Sequence, residues 1–142
     1  MRSVKQLLAT KSSVIFSVEK TTSVLEALQL MMEENVSALL IIENEQLEGI
    51  FTERDYARKI ILQGRSSKET PISEIMTADL LTVGPDDGID HCMQVMTRMH
   101  IRHLPVIDDN KVIGMISIGD LVRFVIEDQK KTIEQLEGYI NS

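Results

Sequence analysis

The 142-residue sequence is short of cysteine, proline and aromatic rings: one Cys, three Pro and 4% aromatics. A single thiol, Cys92, excludes an internal disulfide and suits a reducing compartment. With so few rings, the 43% apolar content has to build its core from Ile, Leu, Val and Met. No run of 18 apolar residues occurs, so no membrane span is expected. Met1-Arg2-Ser3 opens a mixed polar segment that lacks the apolar stretch of a secretory signal; the expected setting is cytoplasmic. Positive charge is also scarce, with 15 Lys and Arg against 22 Asp and Glu and a formal charge of -7. That disfavours a general nucleic-acid surface and leaves room only for a local cationic patch that could hold a phosphate. There is no P-loop and no nucleophile elbow. His91, His100 and His103 are not spaced as a closed metal set, and Asp86-Asp87 and Asp108-Asp109 read as turns. Neither a metal site nor an enzyme is expected.

What is present is a repeat. Gly49-Ile50-Phe51-Thr52-Glu53-Arg54-Asp55 returns 65 residues later as Gly114-Met115-Ile116-Ser117-Ile118-Gly119-Asp120. Both read glycine, a short apolar strand ending in a hydroxyl, two spacers and Asp. The same offset places Val18 on Val83, Leu28 on Met93, Met31 on Met96, Leu39 on Leu104 and Ile60 on Val125, with no gap between Val18 and Ile126. A constant register over that span marks one unit used twice.

Each copy reads strand, helix, strand, strand, helix. In the first, Val14–Val18 is rich in β-branched residues and reads as a strand. Thr22 or Ser23 can cap the next helix, with Glu26 three residues after Ser23 as a capping box requires; that helix places Val24, Leu28, Met31 and Met32 toward the core and ends at Asn35. Ala38–Ile42 is too continuously apolar for an exposed edge. A polar turn leads to Leu47–Phe51 and a helix from Glu53 to about Leu62. A lead-in helix is expected over Ser3–Ala9, broken at Lys11-Ser12-Ser13. After a polar linker, Thr70-Pro71 restarts helical structure, with Thr as cap and Pro at the first helical position. In the second copy Leu80–Val83 repeats the first strand, Asp87 with Asp90 offers a cap, and Ile89, Met93 and Met96 repeat the helical stripe. Cys92, aligned with Ala27, reads as a small buried thiol. His103–Ile107 and Val112–Ile116 are the paired strands, with Pro105 expected where no ladder bond is required. The last helix runs from Leu121 toward Leu136, and Ile133, Leu136 and Ile140 are left to pack on the body or on a partner subunit. The fold class is α/β (α+β), divided as residues 1–68 with the lead-in and 69–142 with a helical tail.

The motif has two chemical readings. Thr52 with Asp55 and Ser117 with Asp120 are capping boxes, hydroxyl and carboxylate three apart. The same carboxylate at the mouth of a cleft can accept ribose hydroxyls, while the hydroxyl and helix-start amides take a phosphate.

The ungapped repeat, both Gly-x-x-x-x-x-Asp motifs, Thr52–Arg58, Gly64–Thr70 and Ile101–Val106 together resemble a pair of cystathionine-β-synthase (CBS) domains, or Bateman module. The resemblance covers nearly the whole chain and is nearest to small members in which the pair is essentially the entire protein. It implies two β-α-β-β-α units packed with pseudo-two-fold symmetry, and two clefts that bind adenine nucleotides. It further implies that Asp55 and Asp120 hold ribose, that Thr52 and Ser117 contact ribose or phosphate, and that backbone near Phe16, Ser37, Ala38, Leu81 and Thr82 receives the base. The halves differ: Arg102 and His103 face Ser37 and Ala38, and Arg54 faces Gly119. Arg102, His103 and Arg54 are therefore the phosphate candidates, with Lys11, Arg65 and Lys68 in bordering loops. The expected function is a non-enzymatic regulatory sensor in signal transduction. AMP is the favoured ligand, with ADP, ATP or NAD as alternatives. A homodimer and an unidentified regulated protein are its expected partners. The alternative is a structural interaction dimer with degenerate pockets.

Overall fold

The computed structural model describes residues 2–12 and 14–141, the side chains of residues 139 and 141 excepted. Met1 of the opening tripeptide and Ser13 of the expected break lie outside that set. The order is α1 (Val4–Leu8), β1 (Ser17–Val18), α2 (Val24–Glu34), β2 (Ala38–Glu43), β3 (Gln46–Thr52), α3 (Glu53–Asp55), α4 (Ile89–Met99), β4 (His103–Asp108), β5 (Lys111–Ser117) and α5 (Ile118–Asn141). α3 runs directly into a π-helical stretch, Tyr56–Ile61, and a 3-10 turn, Ile72–Glu74, lies between the units. Strands β1, β2 and β3 form one sheet, β1 parallel and β3 antiparallel to β2. Strands β4 and β5 form an antiparallel hairpin, which Val83 joins through a parallel bridge to Val106.

The repeat extends to backbone detail. Helices α2 and α4 both end in a left-handed residue, Asn35 (φ 55°) and His100 (φ 56°), 65 positions apart. Both hairpins turn on two residues with positive φ, Asn44-Glu45 and Asp109-Asn110, the geometry that matches the twist of the flanking strands. Both carry a bulge at the same place, between Ile41 and Ile42 and between Val106 and Ile107.

Each unit has its own core. Val24, Ala27, Met31, Leu39, Ile41, Phe51 and Ile60 fill the first; Ile89, Cys92, Met96, Leu104, Val106, Ile116 and Leu121 fill the second. A third cluster, Ala38, Leu40 and Ile50 with Leu80, Val112 and Met115, lies between the sheets. β2 is thus buried on both faces, which accounts for its unbroken apolar run. The lead-ins are exchanged. Val4 and Leu7 of α1 complete the second core, and Ile72 and Ile75 complete the first. Matching backbone bonds fix the exchange: Val4 N–H to Asp87 C=O (2.9 Å) and Ile72 N–H to Thr22 C=O (2.7 Å).

Several local expectations are corrected. β1 spans two residues, not five: Val14 and Ile15 run outside the sheet and line an inter-unit slot with the Phe16 side chain, while Phe16 keeps only its C=O bonded to β2. Leu80–Val83 forms no strand beyond the Val83 bridge. Pro105 is the cause. Its counterpart Leu40 donates its N–H to Phe16 C=O at 3.2 Å, whereas Pro105 has no N–H to offer Leu81. Met32 is 78% exposed, since Val24, Ala27 and Met31 define the buried stripe of α2 and Met32 lies off it. Asp87 does not cap α4; Gly88 is the cap residue and the Asp87 carboxylate accepts from Gly84 N–H at 2.7 Å. Pro71 is the extended cap residue of the 3-10 turn and not its first helical position.

Candidate functional site

Both motif carboxylates start a helix, and each first serves as part of its cap. The Asp55 N–H donates to Thr52 Oγ1 (3.2 Å), while Thr52 N–H and Oγ1 donate to Asp55 Oδ2 (3.0 and 3.1 Å). Asp120 N–H donates to Ser117 Oγ (3.1 Å) and Ser117 N–H to Asp120 Oδ2 (2.9 Å). The capping-box reading of the motif therefore holds in both copies.

The remaining partners separate the two. Asp55 Oδ1 receives the Thr77 hydroxyl at 3.0 Å and the Lys59 ammonium at 3.2 Å, and the residue is buried at 6% exposure. Thr77 is itself held by reciprocal backbone bonds with Ile50, each 2.9 Å. Asp120 meets two cations instead: Lys11 Nζ at 2.8 Å on Oδ2 and Arg123 at 2.8 Å on Oδ1. Burial alone would raise its pKa. The Lys11 bond and charge, with the Ser117 bonds, outweigh that and hold the carboxyl below its ordinary value of 3.8.

Lys11 joins two depressions. One, of about 730 Å³, lies between α1 and α5 and is lined by Thr10, Lys11, Asp120, Arg123, Phe124 and Lys131 among others. Its size falls in the range of small-molecule sites, roughly 300–1,000 Å³. The second is an apolar slot of about 250 Å³ that includes Lys11, Ile15, Phe16, Val36, Gly114 and Met115. Polar groups for an anionic, hydroxylated ligand and an apolar slot for a flat ring therefore adjoin at one lysine.

The starts of the two central strands meet across the units. Ser37 Oγ lies 3.1 Å from His103 Nε2. Burial pushes the His103 pKa below 6.5; Asp120 opposes this, and Arg102 and Lys11 add to it. Arg54 donates to His100 C=O at 2.8 Å, which carries it from the first unit to the segment bearing Arg102 and His103. Arg102 is exposed, Phe16 is half-buried in the slot, and Leu81 and Thr82 are exposed. Ala38 is buried in the inter-unit cluster. Arg65 is tied to Glu74.

Arg123, Lys59 and Thr77 were not anticipated. Arg123 and Lys59 carried a usable signal, three and four residues after their Asp on one helical face. Thr77 carried none, because its partner Asp55 is 22 residues away through a tertiary crossing. The Cys92 thiol is pushed up to about 11 by burial and by Asp87, in keeping with a packing role. Among the described residues, no group of three or more His, Cys, Asp or Glu is placed to hold a metal ion, and no helix is long and apolar enough to cross a membrane.

Two β-α-β-β-α units with exchanged lead-ins and a capped Asp at each motif define the class: a tandem pair of small α/β domains. The CBS domain family profile matches residues 4–62 and 72–127, and the chain belongs to the CBS domain family as a Bateman-type pair. It is 47% identical over 123 residues to the CBS domain-containing protein CBSX3, mitochondrial, of Arabidopsis thaliana, covering 83% of this chain and 60% of that protein. A solved protein with CBS domains from Burkholderia ambifaria MC40-6 is 49% identical with a TM-score of 0.86, covering 89% of this chain and 96% of that one. The CBS domain pair of protein MJ0100, solved in complex with 5'-methylthioadenosine and S-adenosyl-L-methionine, is 27% identical with a TM-score of 0.79. That match covers 90% of this chain and 98% of the MJ0100 chain.

Proposed function

We propose that the chain is a non-enzymatic sensor that binds an adenine nucleotide in the cleft headed by Asp120. AMP is the first ligand to test; ADP, ATP and NAD are the alternatives. The observation that carries this reading is the Asp120 carboxylate, held between Lys11 and Arg123 on the wall of a large cleft, beside an apolar slot. In this reading the adenine enters between Phe16, Val36 and Met115. The ribose hydroxyls take the acceptor positions on Asp120 that Lys11 now fills. Ser117, Lys11, Arg102 and His103 then face the phosphate, and release of Lys11 from Asp120 frees a cation for it. The adenosine compounds bound by the MJ0100 pair support an adenine-bearing ligand.

The slot is walled by the first unit's lead-in and by β5 of the second, so an occupant alters how the units fit. That change passes to a homodimer and from it to a regulated protein, in a reducing cytoplasmic setting where Cys92 stays a free thiol. For the Asp55 cleft the degenerate-pocket reading is favoured, because Thr52, Thr77 and Lys59 already occupy its carboxylate. One ligand per chain is the expected stoichiometry.

The test is mass spectrometry of small molecules released from freshly purified protein, with absorbance near 260 nm, followed by calorimetry with AMP, ADP, ATP and NAD. A captured nucleotide or a one-to-one isotherm is expected. Absence of both removes the sensor reading.

A further inference from the structure

We propose that the C-terminal half of α5 is a self-association seam that pairs antiparallel with the same helix of a second copy. This specifies the contact for the homodimer proposed above, and it is independent of which nucleotide binds. Helix α5 has 24 residues, about 36 Å at 1.5 Å per residue. Leu121 anchors its start in the second core, with Phe124 and Val125 packed beside it. From Gln129 to Gly138 every side chain is exposed.

A second stripe runs along the same helix, about a hundred degrees around the axis from the anchored face. Val122, Ile126, Ile133, Leu136 and Ile140 are 45%, 45%, 54%, 59% and 80% exposed. With Gln129 they are spaced 4, 3, 4, 3 and 4 residues apart. That is the a/d spacing of a coiled-coil seam, and it points away from the core that the helix already serves. By itself a helix as short as the stretch beyond Asp128 is marginal in water; here the packed Leu121 turn supplies the nucleus, so the seam needs only a partner.

Charge selects the partner and its direction. With Ile126, Ile133 and Ile140 at the a positions, the charged residues at e are Arg123, which Asp120 holds at 2.8 Å, and, along the exposed half, Lys130 and Glu137. In a parallel pair each e position flanks a g position, and those are Val125 and Thr132, so no opposite charges meet. In an antiparallel pair e flanks e. Stacking Ile133 on Leu136 of the second copy then brings Lys130 against Glu137 twice, and sets Ile140 on Gln129. The surface is complementary to itself under a two-fold axis, as a closed dimer requires. Lys130 reaches Glu127 of its own helix only at 3.5 Å, with both side chains about two-thirds exposed, so it is available.

The experiment is sedimentation velocity of the full chain at micromolar concentration. The wild type is expected to be a dimer. Ile133→Glu with Leu136→Glu should raise the dimer dissociation constant at least ten-fold, with circular dichroism unchanged. Lys130→Glu alone and Glu137→Lys alone should each weaken the dimer, and the two together should restore it. A wild type that sediments only at 16.0 kDa overturns the homodimer reading itself. A dimer that survives the Ile133 and Leu136 changes leaves the homodimer standing and overturns the seam. Weakening by the single charge changes without rescue by the double change overturns the antiparallel direction.

Discussion

The Lys11 ammonium lies 2.8 Å from the Asp120 carboxylate, 109 residues further along the chain. The same ammonium donates to Met115 C=O at 2.8 Å, so one side chain ties the first unit's lead-in to the second unit's motif. This pair has a signature in acid. Asp120 titrates below its ordinary 3.8 in the folded protein. A depressed carboxyl contributes stability that is fully present above the unfolded value and is lost as pH falls through the folded one. Urea unfolding between about pH 5 and 2 should therefore show an acid limb that Asp120→Asn flattens. Equal limbs in both proteins would mean that the contact does not persist in solution.

The two motif carboxylates should fail in different ways. Asp120→Ala removes the proposed ribose acceptor and is expected to cost about 1–3 kcal/mol of AMP binding, the range for a lost hydrogen bond to a charged group. Asp55→Ala leaves the half-buried Thr77 hydroxyl and the Thr52 cap without their acceptor and should cost about 1–3 kcal/mol of folding stability, with little change in AMP affinity. Calorimetry and urea unfolding on both variants separate these outcomes. Equal loss of AMP binding would return the Asp55 cleft to the site.

Arg102 should recognise phosphate and not base. Arg102→Met keeps much of the side chain's length and removes the charge. AMP affinity is expected to fall about ten-fold or more, equivalent to 1.4 kcal/mol, while adenosine affinity stays nearly unchanged. If calorimetry shows both ligands weakened alike, Arg102 shapes the cleft, and the phosphate rests on Ser117 or Lys11.

The two motif glycines differ in what they approach. A Cβ on Gly49 would sit 2.6 Å from the sulfur of Met76 and 3.0 Å from the Thr77 carbonyl oxygen, a backbone atom fixed by its bonds to Ile50. A Cβ on Gly114 would meet the end of the Leu8 side chain at 2.9 Å, which can turn aside. Gly49→Ala is expected to destabilise by about 1–3 kcal/mol, the usual cost of overpacking, and Gly114→Ala by less. Thermal melts of the two variants side by side give the ranking.

Much of the frame was legible because the 65-residue register carries both the apolar stripes and the turn residues. β2, β3, α2, α4 and the motif caps follow from periodicity and short-range hydrogen bonding. What was not legible depends on distant partners. The strand expected at Leu80–Val83 is lost through a missing donor on Pro105, in another strand. Met32 shares the apolar character of Met31 and lies off the buried stripe, a distinction that only the packed sheet makes. Unequal partners for Asp55 and Asp120 arise where the lead-ins cross over. Lys11 was visible as a bordering cation, but its hold on Asp120 was not, since no local pattern links position 11 to position 120.

The crossed lead-ins make the tandem a segment-swapped dimer whose two halves happen to share one chain. Neither half has a complete interior by itself: the first lacks Ile72 and Ile75 without its neighbour's opening turn, and the second lacks Val4 and Leu7. Loss of one interior exposes the other, so the pair is expected to melt as a single body although it has two cores. A molecule lodged against Lys11 and Met115 touches the strap just beyond α1 and the strand that strap crosses. On the proposed reading, its binding energy would be felt in both interiors at once.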